Sequence, residues 1–202
     1  TYGFKTNLKL DPAEAGFQTI KLPFTDFTDK WDAGTGDAEV TCAENKEFCP
    51  EAEDKANLYS IAVWGEGVEG EVDLQIQSIA AYGCNSGVSS ESDADGGEET
   101  PIVTYFTGAS SDDDKILIED FSDPSHDWKP MNDPVMGGKS KSSVSISDGI
   151  AQFHGTCAIV PFLKAPGFIT MVTGGFFGPT EKFPDVSACE GLSMNIRSTV
   201  AY

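Results

Sequence analysis

The stretch Glu71-Val72-Asp73-Leu74-Gln75-Ile76-Gln77-Ser78-Ile79 alternates apolar and polar side chains almost residue by residue. Successive side chains of an extended chain point to opposite faces, so this pattern fits a strand with one face covered. The spacing predicts Val72, Leu74, Ile76 and Ile79 toward a core and Asp73, Gln75 and Gln77 toward water. Similar signals recur over residues 4–10, 16–24, 116–118, 143–146, 150–154, 168–172 and 192–197, with an apolar run over 58–64 and a short strand expected over 102–107. Pro23 puts the end of its strand at an edge or turn. Asp148-Gly149, set between two alternating runs, predicts a two-residue hairpin. No segment holds a 3.6-residue period over ten residues. Helix is therefore expected only as single turns near residues 12–15 and 51–57. Many short strands punctuated by Gly and Pro predict an all-β sandwich.

The chain has 202 residues, enough for one domain or two small ones with a real core. Its formal charge of −20 argues against nucleic acid and against anionic membrane surfaces as partners. The charge is lopsided: residues 1–114 hold 24 Asp and Glu against 6 Lys, and residues 115–202 hold 9 against 7 basic residues. Most of that excess reads as a solvated surface, and the remainder as a face for a basic partner. No apolar stretch approaches the roughly 20 residues that span a bilayer. No signal or transit peptide is visible at Thr1, and an upstream segment is expected. Residues 85–100 are rich in Gly, Ser and acids, and 85–115 is read as an acidic flexible linker.

Five cysteines are present. Cys42 and Cys49 flank a short acidic loop and are spaced to close a small disulfide, which implies an oxidising compartment; two free surface thiols are the alternative. Cys157 and Cys189 sit in apolar contexts and read as small buried hydrophobes. There is no CxxC pair, and only His126 and His154 supply imidazoles, so no metal site is expected. Asp112-Asp113-Asp114 lacks the spacing of a calcium loop. Gly65-Glu66-Gly67-Val68-Glu69-Gly70 precedes a strand instead of a helix, so it offers no helix N-terminus to a pyrophosphate. Gly138-Lys139-Ser140 lacks the upstream glycine of a phosphate loop. No cofactor is expected. Trp31, Trp64 and Trp128 read as core fillers, with a sugar-stacking platform as the alternative.

The most distinctive run is Asn132-Asp133-Pro134-Val135-Met136-Gly137-Gly138-Lys139-Ser140, preceded by Trp128. Asn-Asp-Pro favours a turn, the paired glycines permit positive φ and close backbone approach, and Val135 and Met136 can plug a core. This run resembles the signature of the complex I intermediate-associated protein 30 family, as do Phe121, Gly149 with Phe153-His154-Gly155, Phe183-Pro184-Asp185 and Gly191-Leu192. Residues 116–202 resemble the first half of that domain. Residues 1–84 resemble its second half, through Phe17 to Phe27 and through Ile61 to Gly70 with the following strand. The order of the halves is thus reversed. Either the chain is a piece of a tandem protein, or the halves pack as one permuted sandwich. The second is favoured, because a lone half leaves apolar surface wet at about 25 cal/mol per Å².

The resemblance implies a galactose-binding-like jelly-roll sandwich. It also implies a non-catalytic, protein-binding role as an assembly factor or accessory subunit of a membrane energy-transducing complex, respiratory complex I or a photosynthetic complex. Partners would be protein subunits of that complex, and the location a mitochondrion or a plastid (thylakoid lumen or stroma). Trp128, Asn132, Asp133, Met136, Gly137, Gly138 and Lys139 are the candidate partner-binding residues. A carbohydrate-binding module is the alternative reading.

Overall fold

The computed structural model describes residues 3–11, 14–84, 114–133, 138–161, 164–174 and 181–200. Its strands are β1 (Gln18–Pro23), β2 (Ala62–Gly65), β3 (Gly70–Tyr82), β4 (Ile116–Asp120), β5 (Trp128–Asn132), β6 (Lys141–Ser147), β7 (Ile150–Cys157), β8 (Ile159–Val160), β9 (Ala165–Pro166), β10 (Ile169–Thr173) and β11 (Gly191–Ser198). Among the described residues the named helical elements are α1 (Ala52–Ala56) and two 3-10 turns, Phe24–Asp26 and Lys46–Phe48. The helical turn expected near 51–57 is thus α1. The one near 12–15 falls partly outside the described residues, as do the strand over 102–107 and nearly all of the linker over 85–115.

A six-stranded sheet runs β1-β11-β3-β7-β6, with β4 also paired to β3, and a three-stranded sheet runs β2-β10-β5. Among the described residues every strand pairing is antiparallel. The two sheets pack as an all-β sandwich. Val72, Leu74, Ile76, Phe153 and Ile196 of the large sheet meet Val63, Ile169 and Met171 of the small one in one buried cluster, with Phe121, Trp128 and Phe183. The central strand β3 comes from the early part of the chain, and its neighbours β11, β7 and β4 from the late part. Asp148 and Gly149, with φ of 52° and 76°, make the tight turn between β6 and β7. Positive φ at both positions is the turn that matches the twist of a hairpin.

The core face of β3 changes parity midway. Val72, Leu74 and Ile76 are buried, and then so are Ile79 and Ala81. A bulge causes this: Ile76 faces Ile196 and Ser78 faces Asn195, so Gln77 has no opposite residue. The polar residues of this strand are half-buried instead of open to water. Gln77 accepts from Asn195 Nδ2 at 2.7 Å, Gln75 from Arg197 Nε at 2.8 Å, and Asp73 from Thr199 Oγ1 at 2.6 Å. Neighbouring strands present their own polar side chains on that face, which satisfies it laterally.

Residues 4–10 form no strand, only an isolated bridge between Lys5 and Thr28. Leu8 and Leu10 still pack on the rim of the core. Their alternation records burial, and the backbone found no ladder to join.

Candidate functional site

Trp128 opens β5 with its ring in the core, 6% exposed and 5.5 Å from the Phe121 ring. Its indole N–H donates to Glu119 Oε2 at 3.0 Å. Glu119 is itself only 1% exposed. It also accepts from Ser125 N at 2.8 Å and Ser125 Oγ at 3.2 Å, and lies 3.3 Å from His126 Nδ1. His126 stacks on Phe183 at 3.8 Å between ring centroids. The result is a buried polar knot at the start of β5, with the Trp128 indole N–H and the Ser125 N–H aimed at the carboxylate and His126 Nε2 facing Glu181 O at 3.2 Å. Such knots fix a unique arrangement, because any missing partner leaves a buried group unsatisfied. Sequence reasoning missed Glu119. The register of β4 on β3 shifts between Glu119 and Leu117, which buries Ile118 and Glu119 in succession and hides their inward direction from a period-2 reading.

The motif loop joins β5 to β6. Asn132 Oδ1 accepts from Ser142 Oγ at 2.6 Å, tying the end of β5 to β6. Asp133 N donates to Phe168 O at 3.1 Å, ahead of β10. Ser140 is 5% exposed, and its Oγ accepts from Ala158 N at 3.0 Å. A Cβ on Gly138 would lie 2.3 Å from Asp133 O, so this glycine is demanded by close approach of the loop to itself. A Cβ on Gly167 would meet Ser140 Oγ at 2.7 Å and Asp133 Oδ2 at 3.0 Å. The two ends of the loop therefore converge on the segment before β10. Lys139 is exposed. Met136 and Gly137 lie outside the described residues, as do Pro134 and Val135.

Beside this clamp the Cys157 thiol donates to Gly167 O at 2.9 Å. Burial pushes its pKa up, and the carboxylates of Glu66, Glu69 and Asp133 add to that against a hydrogen bond with Ser140. A thiol held protonated this way is a poor nucleophile. Among the described residues no group of three His, Cys, Asp or Glu is placed to hold a metal. The arrangement spends its polar groups on anchoring the two ends of the loop.

Cys42 and Cys49 form a disulfide. Cys84 and Cys189 form a second one, so Cys189 is a bridge partner as well as a buried residue. Only topology brings this pair together, since Cys84 follows β3 and Cys189 precedes β11. The sequence separation of 105 carries no local signal. Trp31 and Trp64 flank the Lys5 ammonium at 4.2 and 4.5 Å from their ring centroids, and Glu66 pairs with it. The three tryptophans thus divide, Trp128 into the core and the other two around a cation.

Residues 119–200 match the model of the Complex I intermediate-associated protein 30 family. The match begins at Glu119 in β4, takes in the motif loop and ends just past β11, and it covers less than half of the chain. No curated protein and no solved structure matches the chain.

Proposed function

We propose that the chain is a non-catalytic protein-binding scaffold, an assembly factor or accessory subunit of a membrane energy-transducing complex, either respiratory complex I or a photosynthetic complex. The family match over residues 119–200 carries this reading. The motif supports it physically. Asn132, the Asp133 backbone and Ser140 are spent on anchoring the loop, while Lys139 is left at its surface. Loop ends anchored in this way, with an exposed cation beside them, are suited to meeting a partner, because ordered backbone has less conformational entropy to lose on binding.

In this reading residues 1–84 and 116–202 are the second and first halves of one galactose-binding-like jelly roll, written in reversed order. The interleaving of β3 between β7 and β11 supports it. The two disulfides favour an oxidising compartment of a plastid or mitochondrion.

The test is native electrophoresis of organelle membranes, solubilised in mild detergent, from cells expressing the tagged protein. Co-migration with a high-mass complex or its assembly intermediates is expected, reduced by Lys139→Glu without a change in melting temperature. A protein that runs only as a free monomer, in cross-linked as well as untreated membranes, would overturn the proposal.

A further inference from the structure

The outer face of the six-stranded sheet, turned away from the core, carries the residues that alternate with the buried ones of β11, β3 and β7. Across its middle the register sets Gln152 of β7 beside Gln75 of β3, and Gln75 beside Arg197 of β11. Arg197 lies over the ring of Phe17, the residue before β1, with Cζ 4.6 Å from the ring centroid. At a strand spacing of about 4.8 Å, the row from Phe17 to Gln152 spans about 14 Å. The bulge in β3 adds to this face. Ile76 and Ile79 both point into the core, so the two residues between them, Gln77 and Ser78, both serve the outer side.

The chemistry here is unlike that of the chain as a whole. The formal charge is −20. Around this row, among the described residues, amides and hydroxyls surround one guanidinium, Arg197, and one carboxylate, Asp73, with His154 3.9 Å from the latter. A face kept for solubility carries interspersed charges. A face for a protein partner carries a core of apolar and aromatic side chains. Of the exposed large apolar residues, Tyr59, Val68 and Leu117, only Leu117 belongs to this sheet, at its margin in β4.

The planar groups are also held. Gln77 accepts from Asn195 Nδ2 and Gln75 from Arg197 Nε, at 2.7 and 2.8 Å. Gln152 Nε2 donates to Asp73 Oδ1 at 3.4 Å. An amide that accepts at its oxygen keeps its NH2 group, and one that donates keeps its oxygen. Gln75 and Gln77 therefore retain donors, Asn195 and Gln152 retain acceptors, and Arg197 retains its Nη groups. Fixed donors and acceptors in an extended row, with no net charge between Arg197 and Asp73, match the hydroxyls of a sugar chain, and their prior fixation lowers the entropy lost on binding. We propose that this face binds a neutral oligosaccharide laid across β1, β11, β3 and β7, with Phe17 and Arg197 at one end and Gln152 at the other. Trp31 and Trp64, which flank Lys5, take no part. The site does not depend on the docking role proposed for the motif loop.

Calorimetric and NMR titrations of the intact protein with cellohexaose, mannohexaose, maltohexaose, laminarihexaose and a galacturonan hexasaccharide test this. At least one neutral hexasaccharide is expected to saturate below about 1 mM and to shift the side-chain amide resonances of Gln75, Gln77 and Gln152. Its monosaccharide should bind at least about tenfold more weakly. The Q75A/Q152A double variant should weaken binding by at least about tenfold, with an unaltered melting temperature. Arg197→Lys keeps the charge but removes the planar fork, and should weaken binding as well. The proposal fails if no neutral hexasaccharide saturates below about 1 mM, or if the acidic one binds more tightly than every neutral one. It fails equally if the shifts fall on the Trp31 and Trp64 indoles instead, or if Q75A/Q152A and Arg197→Lys bind like the wild type.

Discussion

Glu119 shows how one buried carboxylate holds the start of β5. It accepts from Trp128 Nε1 and from Ser125 N and Oγ, and it is 1% exposed. Glu119→Ala leaves the buried Trp128 indole N–H without a partner and opens a cavity beside Phe121. A loss of about 2–4 kcal/mol is expected, read from the urea midpoint, with Glu119→Gln intermediate because its amide oxygen still accepts. Gly138 and Gly70 make a second contrast. Gly138→Ala would drive a Cβ into Asp133 O, whereas a Cβ on Gly70 would meet nothing within 4 Å. About 2 kcal/mol of destabilisation is expected for Gly138→Ala, and neutrality or a gain of about 0.5 kcal/mol for Gly70→Ala, by thermal melts of both. Asp32, Asp120 and Asp185 each cap a turn, and backbone N–H donors hold all three carboxyls below their ordinary pKa. Their folded pKa values are depressed, so their contribution is present above the unfolded value near 3.8 and is lost as pH falls through the folded one. Carboxyl resonances followed by NMR should titrate below that value in the folded protein and return to it in urea. Of the motif, the close approach at Gly138 was legible in residue types alone. The knot at Glu119 was not, because acid in a strand looks the same from sequence whether it points in or out.

At the scale of elements, β3 shows how far alternation can be read. Its apolar residues and the Asp148-Gly149 turn that pairs β6 with β7 were plain in the sequence, since both are local properties. The bulge at Gln77 was not plain, because it exists only relative to β11. Residues 4–10 make the converse case, with alternation but no partner strand. The bulge leads to an expectation that runs against intuition about deletions. Removing Gln77 restores strict alternation from Ile76 through Ser78 to Ile79 and keeps the register with β11. It sacrifices the bond from Asn195 Nδ2 and one from Phe121 N to Gln77 O. The deletion should therefore fold, at a cost of about 1–3 kcal/mol. Removing Gln75 instead turns Val72 and Leu74 to the opposite face relative to Ile76. Each exposed side chain forfeits about 1.5–3 kcal/mol, against a total stability of about 5–15 kcal/mol, so that variant should be unfolded or molten. Near-UV circular dichroism separates the outcomes, since Trp128 sits in the core the sheet covers.

Across the whole molecule, the two disulfides act on very different lengths of chain. Cys42–Cys49 closes a separation of 7 residues within one loop. Cys84–Cys189 closes a separation of 105 and ties the end of β3 to the start of β11, joining the early and late parts of the sequence. A cross-link restricts the unfolded chain in proportion to the logarithm of the loop it closes, about 2.5 kcal/mol for the short loop and about 4.7 for the long one. Replacing each pair by alanine should therefore cost C84A/C189A about 2 kcal/mol more than C42A/C49A, by equilibrium guanidinium unfolding. The same reasoning makes a second claim on the same curves. If the gain lies in the unfolded ensemble, releasing the long loop lets that ensemble expand and expose more surface, so the denaturant slope should rise in C84A/C189A and barely move in C42A/C49A. Equal slopes with unequal midpoints would move the effect into the folded state, to the packing of Cys84 and Cys189 in the core cluster.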